Sequence, residues 1–343
     1  MASITQIISW IVRDIYHGWN PLPLPPAGSF GGQTVCVVGG STGLGLAAAE
    51  HCVNLGAAEV IITSRDMHRV GVAKEYLEEK AQANANAAAA ATGGGEAAGS
   101  SPPFRTECRV RAMILDMNRY GSVVAFANAL KEIRRGQGGI DFLLFNAAVI
   151  QARYRPSPEG WQEELQVNAL GNVLLALLLL PWLRAERRHR AAPAHLAFTT
   201  SSASLSNDAS KWEGWSASGE GVLNHWNKEE YWPPGLSGGY PVSKALLMYA
   251  ERELEKLVVG PDGKPWVIIN SMEPGMVKTE IQRHVVESSS FLQFLAPIII
   301  PAVFKTSENG ARILIMGGLT TEEEHYAHSR QSDGEETAAD RME

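Results

Sequence analysis

Tyr240 and Lys244 stand four residues apart where the chain reads as the start of a helix, so their side chains share one face. A tyrosine at its ordinary pKa of about 10 is a poor acid or base near neutrality. A neighbouring ammonium favours the phenolate, lowers that value, and gives a proton donor and acceptor usable near neutral pH. A hydroxyl from Ser202, brought beside Tyr240, can stabilise negative charge growing on a carbonyl oxygen. Far upstream, a β-rich run leads straight into Gly39-Gly40-Ser41-Thr42-Gly43-Leu44-Gly45, and a helical pattern follows. Glycines there let the backbone turn tightly and approach a pyrophosphate, and the helix start offers free N–H groups and a positive dipole end. The spacing therefore predicts a dinucleotide held on Gly39, Ser41, Thr42, Gly43, Leu44 and Gly45.

The end of the second β-rich run decides which dinucleotide. An acidic residue at that point binds the ribose 2′-OH of NAD, whereas an arginine accommodates the 2′-phosphate of NADP. The chain reads Ile62-Thr63-Ser64-Arg65-Asp66. Ser64 and Arg65 favour NADP(H). Asp66, one position later, reads as the cap of the next helix.

These residues need a frame, and the pattern supplies one. Thr34–Val38, Glu59–Thr63, Arg109–Leu115, Ile140–Phe145, His195–Thr200 and Trp266–Asn270 are short, nearly continuous apolar runs, as expected of strands covered on both faces. Helical patterns lie between them at 44–55, 66–80, 119–135, about 160–188 and 240–258. Such alternation predicts an α/β fold of the Rossmann type, a doubly wound parallel sheet in a single domain over 33–320. Residues 1–32 form a separate lead. Ile4, Ile7, Ile8, Ile11 and Ile15 recur at helical spacing before Pro21–Pro26 stops the helix. That helix docks on the domain or a partner subunit, or else lies at a membrane surface.

Three segments depart from the pattern. Residues 81–103, rich in alanine, glycine and serine, read as a mobile surface insertion. Residues 203–239 make a long connection carrying Trp212, Trp215, Trp226 and Trp232, too aromatic for disorder. Residues 291–304 are strongly apolar but broken by Pro297 and Pro301.

Composition excludes several classes. The net charge of -7 is concentrated in the tail 321–343, which carries eight acids against Arg330 and Arg341. The body is then near neutral, with no large basic face, so nucleic acid is not an expected partner. Cys36, Cys52 and Cys108 lack metal-ligand spacing, and their odd count suits a reducing, cytoplasmic setting. His325 and His328 stand in the acidic tail without a neighbouring ligand set, so no metal is expected. The first residues lack the layout of a secretory signal, and no uninterrupted apolar stretch reaches the roughly 18 residues of a membrane span.

The glycine spacing, Gly39, Gly43 and Gly45, resembles that of the short-chain dehydrogenase/reductase family, and the resemblance recurs down the chain. Asn146-Ala147-Ala148 follows the fourth strand where the family has Asn-Asn-Ala-Gly. Asn168 falls at the family's asparagine, Ser201-Ser202 end the fifth strand, and Tyr240 with Lys244 forms the family's Tyr-x-x-x-Lys. Glu273-Pro274-Gly275-Met276-Val277-Lys278-Thr279 resembles its Pro-Gly-x-x-x-Thr. Two positions depart: Phe145 replaces the first asparagine of Asn-Asn-Ala-Gly, and Ala148 replaces its glycine.

The resemblance implies Tyr240 as general acid/base, Lys244 also holding the nicotinamide ribose, Ser202 positioning the carbonyl, and Asn168 holding a water in the proton relay. Ser201 is the competing choice for the serine. It further implies that Asp116 contacts the adenine, and that Asn146, Pro274, Gly275, Val277 and Thr279 complete the cofactor site. The extended Ser202–Tyr240 connection resembles that of retinol-dehydrogenase-like and protochlorophyllide-reductase-like members and of fungal secondary-metabolite reductases. The implied activity is hydride transfer between NADP(H) and a carbonyl or alcohol of a lipophilic, polycyclic or polyketide-like small molecule, in the reductive direction. The Trp-rich loop and the 291–304 segment would wall and cover the pocket, although ordinary packing of a long loop explains those tryptophans equally well. An isomerase or lyase without net redox, or a cofactor-binding regulator, remains the alternative. A homodimer or homotetramer is the implied assembly.

Overall fold

The computed structural model describes residue 16 and residues 19–92, 107–207, 209–232, 238–279 and 304–321. The isoleucine-bearing lead, residues 291–303, and the tail from residue 322 with His325, Tyr326 and His328 lie outside the described residues.

Among the described residues, six strands form one parallel sheet: β1 (Thr34–Val38), β2 (Glu59–Ser64), β3 (Arg109–Ile114), β4 (Phe142–Phe145), β5 (Ala194–Thr199) and β6 (Val267–Met272). Their spatial order is β3-β2-β1-β4-β5-β6. The helices in chain order are α1 (Gly43–Asn54), α2 (Met67–Thr92), α3 (Tyr120–Ile133), α4 (Gly171–Glu186), α5 (Trp212–Ala217), α6 (Val222–Trp226), α7 (Tyr240–Leu257) and α8 (Ser307–Met316). This is the doubly wound arrangement, in which the winding reverses between β1 and β4 and leaves a crevice at the carboxyl ends of the strands.

The unbroken apolar runs are explained by burial on both faces. Along β1 and β4, Cys36, Val38, Leu143 and Phe145 point to one side, into a core built with α3, α4 and α7. Val35, Val37, Phe142 and Leu144 point to the other, into a core with α1, α2 and α8. The period of two along each strand therefore divides one apolar run between two cores. Phe145, a departure from the family pattern, stacks on Phe198 of β5 with ring centroids 4.2 Å apart. The opposite, amino-terminal edge is clipped by ions. Glu59 holds Arg111 and Arg134, and Asp141 accepts the Thr34 N–H at 2.6 Å and pairs with Arg190 at 2.7 Å.

One expectation changes. Residues 81–92 are not an insertion but the last turns of α2, because an alanine-rich run is the best of helix formers. Residues 93–106 lie outside the described residues. Residues 203–207 and 209–232 form a series of short helical turns whose aromatic side chains pack on one another and on Tyr154 and Tyr249. His225 is sandwiched between Trp215 and Tyr231 at 3.7 and 4.1 Å, with Trp226 edge-on to Trp215. Leu165–His189 is long and apolar enough to cross a membrane. In this fold four of its leucines, Leu175, Leu179, Leu180 and Leu183, are buried in the core, while Leu177 is exposed.

Candidate active site

A cleft of about 1310 Å³ opens at the carboxyl ends of the strands, where the winding reverses. The glycine turn forms its floor. Gly39 adopts a φ of +77°, and a Cβ there would lie 2.9 Å from Ala147 Cα. Only glycine meets both conditions. Thr63 fastens the turn from β2: its hydroxyl accepts the Gly39 N–H at 3.0 Å, and its carbonyl accepts the Gly40 N–H at 3.1 Å. Asn146, at the end of β4, fastens it from the other side by donating to the Gly39 carbonyl at 3.1 Å. Gly45 lies behind the cleft lining. A Cβ on it would fall 2.2 Å from the Gly39 oxygen, so its part is to let α1 pack against the turn.

The other proposed cofactor residues converge on the same cleft. Ser41, Thr42, Gly43, Leu44, Ser64, Arg65, Asp116, Asn146, Pro274, Gly275, Val277 and Thr279 all line it. The segment after β6 is drawn over the turn, with Thr279 Cγ2 3.6 Å from the position of a Gly43 Cβ. Asp66 turns the other way. Its carboxylate accepts the N–H of His68 at 2.9 Å and of Arg69 at 3.1 Å, capping α2, and so is committed to the helix. Arg65 is left exposed at the cleft rim, 4.0 Å from Glu163. A glycine cradle that a Cβ would fill and a helix start fit the pyrophosphate of a nicotinamide dinucleotide, with an exposed guanidinium at the end of β2 beside it.

Tyr240 is the first residue of α7 and faces the cleft with Lys244. The Lys244 Nζ sits 5.7 Å from the Tyr240 ring centroid and donates to the Thr199 carbonyl. Burial pushes the Lys244 ammonium down to about 8, with Glu251 opposing the shift. The expected depression of Tyr240 is reversed by the chain itself. Burial raises its hydroxyl to about 12, a hydrogen bond with Ser201 opposes this, and Glu164 and Glu273 add to it. Of the two serines on the cleft, Ser201 is the one whose hydroxyl acts on Tyr240. Ser202 also lines the cleft, but its N–H is spent on Glu273 at 2.7 Å.

Asn168 lies behind the cleft, fully buried in a π-helical turn, Leu165–Leu170, that leads into α4. Its side-chain amide accepts the Val149 N–H at 2.8 Å and donates to the Val149 carbonyl at 2.9 Å and the Ser243 hydroxyl at 3.0 Å. Ser243 in turn donates to the Tyr240 carbonyl at 2.8 Å. The asparagine therefore ties the first turn of α7 to the loop after β4.

Sequence spacing did not disclose Thr63, Glu163, Glu164 or Glu273. Threonine at a strand end and adjacent glutamates before a helix carry no signal of their own. None of Trp212, Trp215, Trp226 and Trp232 lines the cleft formed by the described residues. The long connection contributes Ala203 and Leu205 instead, and Phe304 is the described residue of the apolar 291–304 segment, also on the cleft wall. Among the described residues, no group of three or more His, Cys, Asp or Glu side chains is arranged to hold a metal ion.

No family model matches the chain. Among curated proteins it is 31% identical over 258 residues to the short chain dehydrogenase yanD of Aspergillus niger, covering 75% of this chain and 69% of that one. It is 31% identical over 259 residues to the short chain dehydrogenase macD of Penicillium terrestre, covering 76% and 70%. Over a longer span, 320 residues, it is 28% identical to the short-chain dehydrogenase/reductase ffsI of Aspergillus flavipes, covering 90% and 80%. Among solved structures, L-sorbose reductase from Gluconobacter frateurii, complexed with NADPH and L-sorbose, superposes with a TM-score of 0.56 at 19% identity, covering 88% of this chain and 94% of that one. A Shigella flexneri short chain dehydrogenase complexed with NADP gives 0.55 at 17% identity, covering 87% and 97%.

Proposed function

The chain belongs to the short-chain dehydrogenase/reductase family, and we propose that within it the protein is an NADP(H)-dependent reductase of a carbonyl group on a lipophilic small molecule. The observation that carries this reading is the one cleft lined together by the glycine turn, Arg65, Ser201, Tyr240 and Lys244. The complexes of the Gluconobacter frateurii and Shigella flexneri proteins with NADPH and NADP support a nicotinamide cofactor here. When bound, that cofactor supplies the hydride.

The chain supplies the rest. Gly39, Gly43 and the start of α1 receive the pyrophosphate, and Arg65 receives the 2′-phosphate. Lys244 presents its ammonium to the ribose and to the Tyr240 ring. Ser201 orients the substrate oxygen beside the Tyr240 hydroxyl, and Tyr240 gives its proton to that oxygen as negative charge develops there. Burial, which keeps the Tyr240 hydroxyl protonated, suits it to act as the acid, the role a reduction requires. Val149, Ile150, Leu205, Met276 and Phe304 give the substrate side of the cleft an apolar surface. The test is a panel of lipophilic ketones and aldehydes offered with NADPH. Steady NADPH consumption by the wild type and none by Tyr240→Phe supports the reading. Substrate conversion without loss of NADPH would instead indicate an isomerase or lyase.

A further inference from the structure

A carboxyl group packed against the backbone that precedes Tyr240 belongs to Glu164, a residue the reaction above does not use. Glu164 is fully buried, one residue before the π-helical turn. Its Oε1 accepts the Gln151 N–H at 2.7 Å, which anchors it to the loop after β4. Its Oε2 faces Gly239, where a Cβ would come within 3.0 Å of it. The Trp232 indole crowds the same point, its ring atoms 2.3 Å from that Cβ position. Gly238, at a φ of +47°, is pinched between the same indole and the Gln151 carbonyl. Gly239 is the N-cap of α7, and no side chain of its own segment caps that helix.

We propose that Glu164 is a positioning residue for the acid/base tyrosine: it holds the first turn of α7 through Gly239, against Trp232, and its charge governs how readily Tyr240 releases its proton. A carboxylate at a helix start is favourable for the helix, yet it opposes a second negative charge on the residue that begins that helix. The groups facing the pair are few. Glu163 stands beside Glu164 on its own segment, Tyr240 lies on α7 with Lys244 behind its ring, and Glu273 approaches from the end of β6. Burial raises the Glu164 carboxyl to about 8, against the pull of the Gln151 amide, while its Oε2 packs on Gly239 without a hydrogen bond of its own. Its charge therefore appears in the range where such an enzyme works, and each increment of that charge makes the Tyr240 phenolate harder to form.

The inference rests on Tyr240 being the acid/base, and two variants with two readouts keep it separable from that reading. Glu164→Gln retains the acceptor for the Gln151 amide and the polar contact with Gly239 but never ionises; Glu164→Leu loses the acceptor and the charge. In amide hydrogen exchange of the cofactor-free protein, Glu164→Leu raises exchange several-fold in the peptide covering 238–245 and leaves the strands protected, while Glu164→Gln stays near the wild type. In the pH profile of carbonyl reduction, the alkaline limb of Glu164→Gln moves to lower pH by about half a unit or more. Unchanged exchange at 238–245 in Glu164→Leu, a rise spread evenly over the sheet, or an unshifted limb in Glu164→Gln overturns the proposal. Turnover by Tyr240→Phe at the wild-type rate would overturn the acid/base reading instead, and the exchange result would still decide whether Glu164 clamps the helix.

Discussion

The side-chain amide of Asn146 donates to the carbonyl oxygen of Gly39 across 3.1 Å, joining the end of β4 to the turn after β1 at the point where the winding of the sheet reverses. The backbone bond beside it, from the Asn146 N–H to the Val38 carbonyl, continues the β1–β4 ladder to the edge of the cleft. The cofactor floor is thus an extension of the sheet, and its shape is set by contacts in which a single methyl group has no room.

Gly45→Ala tests that shape directly. The added Cβ would meet the Gly39 oxygen at 2.2 Å and the Asn146 Nδ2 at 2.6 Å, so the Asn146–Gly39 bond must break or α1 must withdraw. Overpacking of this kind costs about 1–3 kcal/mol, and the displaced turn loses its fit to a pyrophosphate. The expected outcome is a lower melting temperature together with loss of NADPH binding by fluorescence titration. Gly71→Ala is the contrasting case. It lies within α2 with nothing within 4 Å of its Cβ position, so it should stabilise the protein by about 0.5–1 kcal/mol and leave binding unchanged.

Arg65→Gln separates the two nicotinamide dinucleotides. A hydrogen bond to a charged group contributes about 1.5–3 kcal/mol, which corresponds to roughly 10- to 150-fold in affinity. NADPH should weaken by that order, with a flatter dependence on salt, while NADH binding stays within about twofold of the wild type. Equal weakening of both would show that Arg65 acts elsewhere than on the 2′-phosphate. Asp66 offers no compensating preference for NADH, because its carboxylate is committed to capping α2.

Ser201→Ala and Ser202→Ala should differ, although the two residues are adjacent. Ser201 shares a hydrogen bond with the Tyr240 hydroxyl, and losing one donor at a developing oxyanion costs about 10²–10³ in kcat. The Ser202 contact to Glu273 is made by the backbone N–H and survives the substitution. A milder loss, within about tenfold, is expected there. Equal losses in kcat would mean that the Ser201–Tyr240 pairing does not determine the reaction.

That pair marks the limit of what the residues alone disclosed. The strand runs were legible because burial on both faces leaves an unbroken apolar signature, and the glycine turn, Tyr240 and Lys244 because their chemistry demands fixed types at fixed spacing. Ser201 against Ser202 was not legible, since both follow β5 and line the cleft, and only the turn that begins at Ser202 decides which hydroxyl acts on Tyr240. The alanine run continued α2 through Thr92; low complexity concealed a strong helix propensity. Glu164 gave no signal at all, because its meaning comes from Gly239 and Trp232, far away in sequence and adjacent only in the fold. The rise of the Tyr240 pKa in the cofactor-free chain was not legible for a related reason: the desolvation of a side chain is a property of the packing around it.

Lys244→Met should trade activity for stability in a way that pH exposes. The Lys244 side chain is almost wholly buried, and burial lowers its pKa from 10.5 to about 8. Between those values the unfolded chain binds more protons than the folded one, so stability rises with pH through that window. Below about 8 the folded protein carries a buried ammonium whose desolvation costs on the order of 3 kcal/mol. Above 10.5 the lysine is neutral in both states and the cost disappears. Methionine, of similar length and never charged, removes the cost but also the bond to the Thr199 carbonyl, which offsets about 1 kcal/mol of the gain. In denaturant unfolding followed at a series of pH values, the variant should therefore be the more stable protein at pH 7, by about 1–3 kcal/mol, and should lose that advantage steadily as pH rises from 8 toward 10.5. A constant difference across the series would mean that Lys244 is not desolvated in the folded protein. Reduction of any ketone by the same variant should fall to the level of Tyr240→Phe, because the ammonium that burdens the fold is the one the tyrosine and the ribose require.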